Sequence, residues 1–77
     1  MDAPLTVVLN GQARSFDGLR VGASLDELVA ALGLKGDRVA VEMNGEIVPR
    51  TQWPQARLNA SDKLELVHFV GGGCPLL

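Results

Sequence analysis

Two Asn-Gly pairs constrain the fold of this chain more than any other feature. The first pair, Asn10-Gly11, follows the apolar run 5–9, and the second pair, Asn44-Gly45, follows the alternating run 38–43. Both central positions of a tight hairpin turn need positive φ, and Asn-Gly is the pair best suited to them. A short stretch able to return as a strand follows each pair, residues 12–17 and residues 46–48. The sequence therefore predicts two β-hairpins.

One helix is predicted between the two hairpins. Ser24 and Glu27 have the spacing of a capping box, in which each side chain binds the backbone N–H of the other residue. Gly33 stands where a helix commonly ends in a left-handed residue. Four apolar residues follow the helical repeat and form one stripe, namely Leu25, Leu28, Val29 and Leu32. We expect a helix over residues 24–32 that packs on a sheet through this stripe.

The remainder of the body completes the sheet. Residues 51–58 have no clear period and predict a loop with one helical turn, anchored by Trp53 and Leu58. Residues 63–70 alternate as a strand should, which places Leu64 and Leu66 in the core and Glu65 in water. The order β-β-α-β-β-β predicts an α+β fold, a ubiquitin-like β-grasp with a mixed sheet of four to five strands packed on one helix. This domain covers residues 1–70.

Three glycines follow the last predicted strand. Glycine lacks a Cβ and tolerates almost any backbone conformation, so Gly71, Gly72 and Gly73 predict a thin, flexible arm. Four further residues, Cys74, Pro75, Leu76 and Leu77, are predicted to belong to no element. Residues 71–77 are thus an arm and tail, and such an arm can thread into a narrow channel of another protein.

Composition excludes several classes of function. The 77 residues carry a net charge of −2 and only two lysines, so no basic face is expected for nucleic acid. No apolar run approaches the roughly 20 residues of a membrane span, and no signal peptide is recognisable, which predicts a cytoplasmic protein. One cysteine excludes an internal disulfide. No phosphate loop, nucleophile–base pair or metal-ligand cluster is present, so we expect no cofactor, no metal and no catalytic activity.

Three motifs resemble one family over nearly the whole chain. They are Leu9-Asn10-Gly11, the stretch Asn44-Gly45-Glu46-Ile47-Val48-Pro49-Arg50 with Trp53, and the stretch Leu66-Val67-His68-Phe69-Val70-Gly71-Gly72-Gly73. Together they resemble the ThiS family of ubiquitin-like sulfur carriers of thiamine biosynthesis. The resemblance implies that an E1-like adenylating enzyme activates the carboxylate of Gly73 and that a sulfide or persulfide donor converts it to a thiocarboxylate. It also implies that a thiazole synthase accepts the sulfur.

The tail departs from the family, whose members usually end at the double glycine. We expect removal of residues 74–77, typically by a zinc peptidase. Cys74 has three other interpretations, as a redox thiol, as part of an extension without a role, or as a prenylation site that Pro75 fits poorly.

Val67, His68, Phe69 and Val70 are predicted to contact the partner. Val67 and Phe69 have the parity of the outer face, although a twist or a covering loop is an alternative that buries them. Other functions that fit the sequence are a sulfur carrier for molybdopterin or another metabolite, and a ubiquitin-like binding module that takes no part in catalysis.

Overall fold

A computed structural model describes the backbone of residues 4–70 and 74–75 and the side chains of residues 4–68. Six strands and one α-helix are present in this part of the chain. They are β1 (Leu5–Leu9), β2 (Gln12–Phe16), α1 (Leu25–Ala31), β3 (Val39–Met43), β4 (Glu46–Ile47), β5 (Lys63–Val70) and β6 (Cys74–Pro75). Two short 3₁₀ helices, Gly36–Arg38 and Arg50–Gln52, lie between them. No helix in these residues is long and apolar enough to cross a membrane.

Both predicted hairpins are confirmed. Asn10 and Gly11 have φ of 49° and 82°, and Asn44 and Gly45 have φ of 52° and 88°, so each pair occupies the left-handed region. These values match a two-residue turn in which both central positions need positive φ. β2 then returns antiparallel to β1, and β4 returns antiparallel to β3.

β5 is the central strand of a five-stranded mixed sheet with the order β2-β1-β5-β3-β4. It runs parallel to β1, with Val8 opposite Lys63 and Leu9 opposite Leu64. On its other side it runs antiparallel to β3 over five residue pairs, from Met43 opposite Leu64 to Val39 opposite His68. The predicted α+β fold with one helix on a mixed sheet is therefore confirmed.

The helix packs on one face of this sheet and closes the core. Ser24 is its N-cap and forms the predicted capping box with Glu27, the Glu27 N–H donating to the Ser24 Oγ at 3.1 Å and the Ser24 N–H to a Glu27 carboxylate oxygen at 2.7 Å. Gly33, with φ of 74°, follows the helix in the left-handed region as expected. Thirteen apolar residues form the core, and they are Leu5, Val7, Leu9, Phe16, Leu25, Leu28, Val29, Val39, Val41, Trp53, Leu58, Leu64 and Leu66.

The irregular segment after β4 is fixed by Trp53 and Leu58, as the sequence predicts. Trp53 is buried, and its indole N–H donates to the carbonyl of Val48 at 2.9 Å. Leu58 is fully buried, and its backbone N–H donates to the carbonyl of Ala23 at 2.8 Å. The segment is thereby attached both to β4 and to the residues that lead into the helix.

The prediction that no element follows the glycines is wrong for Cys74 and Pro75. Their backbone forms β6, which pairs antiparallel with the end of β5, Cys74 opposite Val70 and Pro75 opposite Phe69. The pairing of β3 with β5 ends at His68, so Phe69 and Val70 lie beyond it. The backbone N–H and C=O groups of Phe69 and Val70 are not paired with β3 and can bond a segment that returns beside them, which accounts for the pairing with β6.

Candidate functional site

The side of the sheet opposite α1 is the candidate functional surface, and we call it the outer face. Along β5, Leu64 and Leu66 are buried toward the helix while Glu65 and Val67 point the other way. Along β3, Val39 and Val41 are buried and alternate with Ala40 and Glu42. Within the described part of the chain, no helix or second sheet covers the outer face. Its central residues are Ala40, Glu42, Ile47, Glu65 and Val67.

Of the four predicted partner-binding residues, the structure describes the side chains of Val67 and His68, which lie on opposite sides of β5. Val67 lies on the outer face opposite Ala40 and is half-buried. His68 has the parity of Leu64 and Leu66, so it lies toward the helix side, half-buried opposite Val39. The side chains of Phe69 and Val70 lie outside the described residues, and so do Gly71, Gly72, Gly73, Leu76, Leu77 and the side chains of Cys74 and Pro75.

Two carboxylates meet at the centre of the outer face. Glu42 on β3 and Glu65 on β5 are direct register partners. A hydrogen bond to the Glu65 carboxylate and repulsion between the two negative charges raise the pKa of Glu42 above its ordinary value of 4.5. Like charges directly opposite each other on adjacent strands are unfavourable, so this pair costs the free protein stability.

The acidic pair separates two concavities. A depression of about 150 Å³ is lined by Ala40, Val41, Glu42, Ile47, Glu65 and Val67. A wider groove of about 760 Å³ lies between the two hairpin turns and also includes Glu42 and Glu65. Glu42 and Glu65 therefore line both concavities, one toward the hairpin turns and one toward Val67.

Ile47 and the acidic pair are candidate functional residues that the sequence analysis missed. Ile47 is 76% exposed, a large value for a branched aliphatic side chain, and it lies opposite Glu42 in the β3–β4 pairing. Alternation alone indicated that Glu65 faces water, but the position of Glu42 beside it depends on the β3–β5 register. The sequence does indicate that Glu42 faces away from the core, since Ala40 and Glu42 alternate with three apolar residues.

The side chains that the structure describes form no metal site. No group of three or more His, Cys, Asp or Glu side chains is close enough to hold a metal ion in the part searched. His68 has no such companions there. What the outer face offers chemically is a concave apolar and acidic surface, which is suited to contact with another protein.

Comparison with known proteins identifies relatives over most of the chain. The model of the ThiS family matches residues 7–73. The sulfur carrier protein ThiS of Bacillus subtilis is 38% identical over 50 residues, which are 65% of this chain and 76% of that protein. The thiazole synthase of Paramagnetospirillum magneticum is 41% identical over 69 residues, which are 90% of this chain but 20% of the synthase. The chain thus spans about a fifth of the length of this synthase.

A solved structure agrees with the fold. The crystal structure of the thiamine biosynthesis protein ThiS from Geobacter metallireducens matches with a TM-score of 0.74 and 30% identity. The match covers 90% of this chain and 100% of that one.

Proposed function

The chain belongs to the ThiS family, and we propose that it is a sulfur carrier of thiamine biosynthesis whose working group is the carboxylate of Gly73. The observation that carries this proposal is the extent of the family match, which reaches Gly73 and leaves out residues 74–77. The B. subtilis relative is itself named a sulfur carrier protein. The protein acts as a cosubstrate, because the chemistry takes place on its own main-chain terminus.

The carboxylate must first be released. In the full-length chain the carbonyl of Gly73 forms a peptide bond with Cys74. Hydrolysis of this bond, for which a zinc peptidase is the expected catalyst, adds one water and produces a free carboxylate at Gly73. The same hydrolysis releases residues 74–77 as a peptide. Until this step, Gly73 has no group that ATP can activate.

Activation and sulfur transfer follow. A carboxylate oxygen of Gly73 attacks the α-phosphorus of ATP, pyrophosphate leaves, and an acyl adenylate forms on an E1-like adenylating enzyme. Sulfide then attacks the carbonyl carbon, and the C–O bond breaks with its electron pair leaving on AMP. The product is a thiocarboxylate, a sulfur nucleophile attached to the protein. Where the donor is a persulfide, its outer sulfur attacks the carbonyl carbon, and a thiol reductant then cleaves the S–S bond of the resulting acyl disulfide to give the same thiocarboxylate.

A thiazole synthase is the proposed acceptor. In the P. magneticum synthase, a region similar to this chain forms part of the same polypeptide. Linking two partners in one chain raises their effective concentration without adding any new contact. Such a fusion is useful if the two parts meet during turnover, and this supports the synthase as a partner of the separate carrier.

The outer face and the end of β5 are the proposed docking surface for the adenylating enzyme. Val67 contributes a half-buried apolar side chain there. Phe69 and Val70, whose side chains are not described, remain predicted contacts because they connect this face to the glycine arm. His68 stays a prediction as well, at the side of the strand end rather than on the outer face.

ATP–pyrophosphate exchange tests the proposal. A chain ending at Gly73 and the full-length chain are each incubated with the purified adenylating enzyme, ATP and labelled pyrophosphate, without a protease. We expect exchange with the shortened chain alone. Every core residue in the described part of the chain lies within Leu5–Leu66, and the shortened chain keeps all of them. Equal exchange from both forms would contradict tail removal, and exchange from neither would contradict the carrier function.

Mass spectrometry of the protein from its own cells provides a second test. We expect loss of residues 74–77, and a fraction of the product heavier by the difference between sulfur and oxygen. Expression of the protein in a cell strain that cannot make thiamine then distinguishes the thiamine pathway from the molybdopterin pathway. Restored growth requires a carrier active with the thiazole synthase, whereas a carrier specific to molybdopterin would leave growth unrestored.

A further inference from the structure

Glu42 and Glu65 lie directly opposite each other, and a positive charge from another molecule would stabilise this pair. The two residues are paired across β3 and β5, where directly opposite side chains stand close together. Lys63 is the lysine on the same strand and face, two residues before Glu65. The pKa of Glu42 is raised despite the presence of this lysine, by a hydrogen bond to Glu65 and by the repulsion between the two carboxylates. A cation that binds both carboxylates would relieve a cost present in the free protein.

Apolar side chains surround the acidic pair on the outer face. Ile47 flanks Glu42 on the β4 side, and Val67 follows Glu65 on β5 opposite Ala40. All of them line the same depression of about 150 Å³. When a partner covers the depression, the apolar rim excludes water from the charges at its centre, and this strengthens the attraction between opposite charges.

We propose, on the basis of the carrier function above, that Glu42 and Glu65 together bind a basic side chain of the adenylating enzyme, while Ile47 and Val67 pack around it. A guanidinium group suits this site best. Its planar array of five N–H donors can bond two carboxylates at once, whereas an ammonium group acts as a point charge. The acidic pair then selects a partner with an arginine at the matching position.

A second copy of this chain is the wrong occupant for the same surface. A symmetric pair of outer faces would bring four carboxylates together, the two of each copy. Like-charge contacts across an interface are unfavourable and suppress a partner of this kind. Charge complementarity therefore indicates a basic partner.

Titration calorimetry with the purified adenylating enzyme tests this proposal. The full-length chain and the chain ending at Gly73 are each measured as wild type and as the double variant Glu42→Gln with Glu65→Gln. We expect the double variant to bind about tenfold more weakly or worse and to show a smaller dependence of Kd on salt. Asp17→Asn is the control, because it removes a negative charge just after β2, the edge strand that lies farthest from β3 and β4. It should leave Kd nearly unchanged.

Thermal unfolding of the same variants excludes damage to the fold. The double variant should be at least as stable as wild type, since it removes a repulsion. A further variant, Ile47→Ser, should weaken binding without changing its dependence on salt. Unchanged affinity of the double variant, with wild-type binding intact, would overturn this proposal alone. Failure of the wild-type chain to bind would overturn the carrier function together with this proposal.

Discussion

The side-chain amide of Asn10 binds both backbone groups of Leu66. The Leu66 N–H donates to the Asn10 Oδ1 at 2.9 Å, and the Asn10 Nδ2 donates to the Leu66 carbonyl at 3.4 Å. The backbone N–H of Asn10 donates to the Leu64 carbonyl at 2.8 Å, and the side-chain amide adds the next two bonds along β5. The first hairpin turn is thereby attached to the central strand four residues before that strand ends at Val70.

Replacing Asn10 with glycine should remove the two bonds to Leu66 while keeping the backbone conformation of the turn. Glycine keeps the positive φ of 49° without strain, so the loss comes from the two hydrogen bonds. We expect a loss of about 1–3 kcal/mol in the free energy of unfolding, measured by urea denaturation. Asn44→Gly is the matched control at the second turn, where the amide bonds Asp62 and Lys63 in an exposed position. An equal loss at both turns would contradict a special role for Asn10.

Replacement of Leu28 tests which face of α1 is buried against the sheet. Leu28 is fully buried at the centre of the apolar stripe, and truncation to alanine leaves a cavity beneath the sheet. We expect Leu28→Ala to lower the free energy of unfolding by about 2–5 kcal/mol. Leu32→Ala should cost clearly less, because Leu32 is only half-buried at the C-cap. Chemical denaturation of both variants compares them directly, and a silent Leu28→Ala would refute the assignment of the buried face.

The elements with strong local determinants were predictable from the sequence. The helix, its cap and both Asn-Gly turns depend on residues within a few positions of one another, and each prediction is confirmed. The last strand was predicted as residues 63–70 and is observed as Lys63–Val70. Alternation of apolar and polar residues is enough to define such a strand when one face is buried.

The candidate site was less predictable, because it depends on contacts distant in sequence. Parity along the last strand was enough to place Val67 and His68 on opposite sides of the sheet, as the β3–β5 pairing also has them. Glu42 and Glu65 are 23 positions apart and meet only through the β3–β5 register. Register is a property of the folded sheet and is fixed by the burial of many side chains at once. Strand β6 was missed for a similar reason, since Cys74 and Pro75 have no local strand pattern of their own.

Gly36 lies against Trp53 and Arg50, which leaves little room for a side chain. A Cβ at this position would stand 3.2 Å from the Trp53 Cζ3 and 3.1 Å from the Arg50 Nε. Arg50 can move aside, but the indole is buried and held by its bond to Val48. We expect Gly36→Ala to cost about 1–3 kcal/mol and to shift the tryptophan emission.

Gly18 provides the matched control for this substitution. A Cβ there would meet no atom within 4 Å. Gly18→Ala should therefore be neutral or stabilise by up to about 1 kcal/mol, because alanine restricts the unfolded chain. If Gly36→Ala proved as harmless as Gly18→Ala, the indole would have to be free to move. Trp53 would then not be the rigid anchor of the irregular segment.

The pair of carboxylates on the outer face predicts a dependence of stability on pH. Because the pKa of Glu42 is raised in the folded protein, the folded state binds more protons than the unfolded state just above the ordinary value of 4.5. The free energy of unfolding should therefore fall as pH rises through this window and should level off above it.

Glu42→Gln isolates this contribution. The variant should be more stable than wild type at about pH 7, where the two carboxylates repel each other, and the difference should vanish at about pH 4, where Glu42 is mostly protonated. Urea unfolding at both pH values measures the difference, with Asp17→Asn as a control for loss of one negative charge at the opposite edge of the sheet. A variant no more stable than wild type at neutral pH would show that the repulsion is already relieved within the molecule. The acidic pair would then have no unmet need for a cation, and the proposed contact with a basic partner would lose its physical basis.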